Sequence, residues 1–104
     1  MKKLKEANQN TEGCSFRGDT FVATPNDIIK IAGQPTYTNT KANEKTHYEW
    51  GLENSHKEVF TIYDWNYGRL IDPNEKITWN IGAKDYEASD IALQDINYLL
   101  KKNK

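Results

Sequence analysis

Apolar and polar residues alternate over three short stretches in the middle of the chain. In YEWGLE, Tyr48, Trp50 and Leu52 fall on one side and Glu49 on the other, a period of two that marks a strand. VFTIY sets Phe60 and Ile62 against Thr61 and Tyr63, and ITWNIG sets Ile77, Trp79 and Ile81 against Thr78 and Asn80. ENSHK reads as a hairpin turn between the first two, and NYGRLIDPNEK as a longer loop containing Gly68 and Pro73. Register places Trp79 in the core with Tyr48, Trp50, Leu52, Phe60 and Ile62. The opposite face then carries His47, Glu49, Thr61, Tyr63, Trp65, Thr78 and Asn80. That mixture of aromatic and polar groups is neither a dry core nor an ordinary solvated surface.

Helical signals flank these strands. In TPNDIIKIAG, Thr24 suits an N-cap, Pro25 the first helical position and Asp27 the first turn. Gly33 fits the C-terminal end, where a positive φ is needed. So short a helix must pack against something to persist. QPTYTNTKANEK reads as a loop. Asp85 caps a final helix whose apolar stripe is Ala88, Ile91, Ala92, Ile96, Leu99 and Leu100. SFRGDTFVA reads as an extended segment with a bend at Gly18. Segregated strands and helices predict an α+β fold, with an antiparallel sheet of three or four strands and two helices packed on one face. Residues 1–14 read as a flexible arm and 15–104 as a single domain.

Length and charge narrow the picture. A chain of 104 residues suits one core. A net charge of −1 gives no field that would draw the molecule to nucleic acid or an anionic membrane. Cys14 is the only cysteine, as expected in a reducing interior. MKKLKEANQN lacks the apolar segment of a signal peptide, and no run approaches the roughly 18 apolar residues of a membrane span. The expected location is therefore cytoplasmic. His47 and His56 match no metal-ligand spacing, so no metal is expected and both read as exposed. Nothing marks Cys14 as an activated thiol. Glu49, Asp64, Asp72 and Asp85 could form a carboxylate pair, but carboxylates are common in caps and loops, so no catalytic residue is assigned. No phosphate-loop or dinucleotide fingerprint occurs, and no cofactor is expected.

The binding candidates are aromatic and basic. Tyr63 and Trp65, beside Glu49 and Thr78, could stack on a base. They could equally sit in a homodimer interface, or lie beneath a helix or the N-terminal arm. WNIGAKD runs from strand through glycine and lysine to a helix start, where backbone N–H groups and Lys84 could hold an anion, unless Asp85 occupies those donors. Arg17 and Arg69 are the only arginines. They could supply bidentate phosphate contacts, or ordinary surface ion pairs.

Five segments in order, SFRGD, TPNDIIKIAGQPTY, YEWGLE, FTIYDWN and TWNIGAK, resemble the landmarks of an uncharacterised family of small bacteriophage proteins. The resemblance spans roughly Ser15 to Leu100. Its most specific features are the Ile-Tyr-Asp-Trp strand and the Trp-X-Ile-Gly strand-to-helix turn. This chain departs from the pattern with Asn66 for Lys, Asn80 for His and Ala83 for Gly. The missing histidine at Asn80 counts against an enzymatic role. The resemblance implies a phage origin, and so the cytoplasm of an infected bacterium. By analogy, such accessory proteins counter host defences by binding a nucleotide signal or a defence protein. The leading expectation is a binder that sequesters a nucleotide second messenger. Tyr63 or Trp65 would hold the base, and Arg17, Arg69 or Lys84 the phosphate. The alternatives are an inhibitor that binds a host defence protein directly and, third, a small nucleotide hydrolase.

Overall fold

The computed structural model describes residues 3–7, 10–41 and 44–103. The elements in chain order are β1 (Lys5–Glu6), β2 (Ser15–Ala23), α1 (Pro25–Ala32), β3 (Tyr37–Thr38), β4 (Tyr48–Glu53), β5 (Val59–Tyr63), β6 (Ile77–Ala83) and α2 (Tyr86–Lys102). The fold is α+β. The six strands form one sheet in the order β1-β4-β5-β6-β2, with β3 also on β4, and every pairing is antiparallel. The three or four strands expected therefore become six. β1 and β3 are two residues each, too short to show any alternation. β3 arises inside the stretch that reads as a loop, where it pairs Tyr37 with Glu49.

The central meander forms as the alternation demands. Trp50 lies opposite Ile62, and Ile62 opposite Ile81, so the three strands bring their apolar sides to one face. There they join Ile28 and Ile31 of α1 and Ala88, Ala92, Ile96 and Leu99 of α2 in one buried cluster. Trp50 and Trp79 meet edge to face at 5.5 Å, and both are fully buried. A buried indole N–H needs an acceptor: Trp50 Nε1 donates to the Gly33 carbonyl and Trp79 Nε1 to that of Ala23, each at 2.9 Å.

Capping follows the sequence. Thr24 accepts from the Asp27 N–H while Asp27 accepts from the Thr24 N–H, a reciprocal capping box. Asp85 Oδ1 accepts from the Ala88 N–H at the start of α2. The hairpin turn is anchored by Asn54. Its Oδ1 accepts from the His56 and Glu58 N–H groups, and its Nδ2 donates to the Ala88 carbonyl of α2.

The expected flexible arm is partly fixed. Leu4 is buried in the core cluster, its N–H donates to the Ile31 carbonyl, and Lys5–Glu6 pair with β4. Residues 1–2 and 8–9 of that arm lie outside the described residues. Its distal part returns across the sheet face opposite the core. There the Thr11 methyl lies 3.3 Å from where a Cβ on Gly51 would be. That tether is long in sequence, so no local pattern announces it.

Candidate functional site

The Ile-Tyr-Asp-Trp strand divides its side chains among three environments. Ile62 is fully buried on the core side, Tyr63 is half-buried on the opposite side, and Trp65 is 51% exposed. Asp64 turns inward and is fully buried. Its Oδ1 accepts from the N–H groups of His47 and Tyr48 at 2.8 and 2.7 Å. Its Oδ2 lies 3.0 Å from His47 Nδ1, while His47 Nε2 lies 3.1 Å from the Lys41 carbonyl oxygen. Nδ1 faces a carboxylate oxygen and Nε2 a carbonyl oxygen. Asp64 and His47 thus lock the start of β4 to the end of β5. His47, expected to be exposed on the open face, is 1% exposed. The strand begins only at Tyr48, so alternation does not govern position 47.

Beyond Tyr63, β5 leaves the sheet, and Tyr67 takes its place beside β6. The Tyr67 hydroxyl accepts from the Thr78 N–H at 3.0 Å and donates to the Thr78 carbonyl at 3.2 Å. One side chain satisfies both backbone groups that a continuing strand would have paired. Asn66, at φ 60°, makes the turn that allows this, and asparagine tolerates that region better than most residues.

The departure of the strand opens a cleft on the outward face. Glu49, Tyr63 and Asn80 lie in one cross-strand row, and Thr61, Gly82 and Phe16 in the next. A Cβ at Gly82 would come within 2.5 Å of Thr61 Oγ1 and 3.4 Å of a Tyr63 ring carbon. Glycine therefore lets the Tyr63 ring lie against the sheet. Two adjoining hollows, of about 350 and 340 Å³, share Phe16, Tyr63 and Trp65 as walls. Each is within the range typical of small-ligand sites. Glu49 and Thr46 line the first and Asn80 the second. Tyr63 and Trp65 meet edge to face at 6.4 Å.

The electrostatics of this cleft centre on Glu49. Its carboxylate has no hydrogen-bond or ion-pair partner among the described residues. Burial raises its pKa above the ordinary carboxylate range. Burial also raises the Tyr63 phenol, and the Glu49 charge raises it further. The Cys14 thiol at the cleft edge is pushed up by burial and by Glu49, against the lowering influence of Lys84 and Arg17. A raised pKa is the opposite of what an activated thiol needs.

Of the five residues singled out in the sequence, the structure brings two together, Tyr63 and Trp65. Arg17 lies in a bulge of β2 opposite β6, supported by Gly18 at φ 106°. Its guanidinium donates to the Ala83 and Lys84 carbonyls at 3.0 and 2.7 Å and lies over the Tyr86 ring. Arg69 is held by Glu75 in a bidentate pair and lies over Tyr67. Both arginines thus have protein partners and neither lines the cleft. Lys84 is exposed, and the N-terminal donor of α2 beside it is occupied by Asp85.

Phe16, a wall of both hollows, and Lys45, beside Trp65, escaped the sequence reading. Phe16 faces outward as Thr20 does, and the bulge after it shifts the register of β2 by two residues, which places it opposite Gly82. Lys45 places its ammonium 5.6 Å from the Trp65 ring centroid. Its carbonyl accepts from the Asn66 N–H, a contact no local pattern reveals.

A separate hollow of about 400 Å³ lies between Leu4 and the β4–β5 turn, beside Lys3, Lys5 and Lys57. Its buried amide, Asn54, already uses both its oxygen and its nitrogen within the protein. Ser55 is likewise bonded to Asp95, which leaves exposed lysines and Glu53 to meet a ligand there. Among the described residues, no group of three or more His, Cys, Asp or Glu could hold a metal ion, and no helix is long and apolar enough to cross a membrane.

These features define an α+β protein with an aromatic cleft on the sheet face opposite its core. Comparison with known protein families, with curated proteins and with solved structures finds no match to this chain.

Proposed function

We propose that the protein is a binding protein that takes the base of a nucleotide into the cleft walled by Phe16, Tyr63 and Trp65. In this reading both helices cover one face of the sheet and leave the other for the ligand. The observation that carries it is the convergence of three aromatic rings, two of them half exposed, on a cleft containing a carboxylate with no partner among the described residues. Base–aromatic stacking contributes roughly 1–3 kcal/mol per base. Lys45, over the Trp65 ring, supplies positive charge for a phosphate. Binding rather than turnover is favoured because three of the carboxylates once considered for catalysis have backbone partners. Asp64 accepts from His47 and Tyr48, Asp72 from Asn74, and Asp85 from Ala88. With the resemblance to small phage proteins, this makes the chain an anti-defence protein that sequesters a nucleotide second messenger in the cytoplasm of the infected host. Calorimetry of the full chain against cyclic and linear nucleotides tests it. If none binds more tightly than about 1 mM, the reading fails.

A second reading rests on one further observation. Tyr37, Phe16 and Trp65, each about half exposed, share the outward face. Such aromatics also anchor protein interfaces, with a host defence protein or with a second copy of this chain. Recovery of a specific partner from host lysate by wild type but not by Trp65→Ala would favour it.

A further inference from the structure

Among the residues lining the two hollows, Glu49 is the one that carries a charge, and its chemistry can discriminate among bases. It sits at mid-strand in β4, held between Tyr37 and Tyr63 in the same cross-strand row. A half-buried carboxylate offers two acceptor oxygens and no donor. Its oxygens are open to solvent, so a ligand that enters the cleft must replace the water there with donors of its own. The two arginines are engaged elsewhere, Arg17 with backbone carbonyls and Arg69 with Glu75, as are the Tyr67 hydroxyl and both buried indoles.

The pairing edges of the bases differ in what they offer a carboxylate. Guanine presents N1–H and N2–H side by side, matching two carboxylate oxygens. Adenine places the acceptor N1 beside its amino group, cytosine places N3 beside its own, and uracil flanks one N–H with two carbonyls. In each of these three, an acceptor lone pair would face the carboxylate.

We infer that the cleft selects guanine, with Glu49 accepting from N1–H and N2–H while Trp65 and Tyr63 contact the ring. This rests on the base-binding reading above and specifies its ligand. Asn80, on the far side of Tyr63, offers an amide to the other edge of the ring.

The test is calorimetry of the full chain with GMP, IMP and AMP. IMP keeps N1–H but lacks the 2-amino group. GMP is expected to bind at least about tenfold more tightly than IMP or AMP, the effect of losing one good charge-assisted hydrogen bond. Glu49→Gln should remove most of that preference and leave AMP binding in place. The GMP preference should also weaken on acidification through the raised pKa of Glu49, because a protonated carboxyl cannot accept twice. The wild-type comparison of three ligands does not depend on how any variant folds. Equal affinities for the three, with binding abolished by Trp65→Ala, would overturn the guanine assignment and leave the base site intact. No binding of any tighter than about 1 mM would overturn both.

Discussion

The two faces of the β4–β5–β6 meander are built by one alternation and share a residue vocabulary, yet they treat polar atoms in opposite ways. On the inner face, Trp50 and Trp79 are fully buried and each indole N–H reaches a backbone carbonyl. Across the described residues, no buried side-chain nitrogen or oxygen lacks a partner. On the outer face, Phe16 and Trp65 are about half exposed, and the Glu49 carboxylate between β3 and β5 has no partner among the described residues. A face that serves the fold closes its own hydrogen bonds. In the proposed reading, the outer face keeps a solvent-accessible acceptor open for a ligand.

The contrast breaks most visibly at the two tryptophans. Trp79→Ala should lower stability by about 3–5 kcal/mol, enough to unfold much of a small domain. Thermal melting or failure of soluble expression would show it. Trp65→Ala should melt within about 1 kcal/mol of wild type, as exposed positions do, while weakening nucleotide binding about tenfold or more. If Trp65→Ala unfolds a monomer as badly as Trp79→Ala, the faces do not differ as described.

Asp64 tests whether the buried carboxylate belongs to the fold and the open one to the ligand. Asp64→Ala removes the partner of His47 Nδ1 and of two backbone N–H groups in the interior. The expected loss is about 3–5 kcal/mol by urea denaturation. A variant that kept full stability would contradict that assignment.

The smallest effect is electrostatic and runs in two directions. The folded-state pKa of Glu49 is raised by burial, so the native protein binds its proton more tightly than the unfolded chain does. Stability should therefore fall as pH rises from the ordinary glutamate range through the raised value. Glu49→Gln should flatten that slope in melting curves recorded across the acidic range. Guanine-nucleotide affinity should rise over the same interval, because it needs the ionised carboxylate. Stability and affinity moving together would sink the account of Glu49.

Much of the fold was legible because it is local. The capping box at Thr24, the Asp85 cap and the period-two strands are all written within a few residues. Tyr63 and Trp65 could be placed on the open face for the same reason. What escaped is held by contacts distant in sequence or by breaks in the pattern. β1 docks through Leu4 to Ile31. His47 is fixed by Asp64 from the neighbouring strand. A bulge places Phe16 opposite Gly82. For the arginines the sequence left phosphate contacts and surface ion pairs open, because the acceptors that hold them, Glu75 and the carbonyls at the β6–α2 junction, are set by tertiary structure.

The most direct test follows the three indole N–H resonances by two-dimensional NMR as GMP is added. Those of Trp50 and Trp79 donate to carbonyls of the core side, whereas Trp65 stands at the cleft. The account predicts that the Trp65 resonance shifts in a saturable way while the other two stay in place. Unchanged Trp65 at saturating ligand, or a shift confined to Trp50 or Trp79, would contradict it.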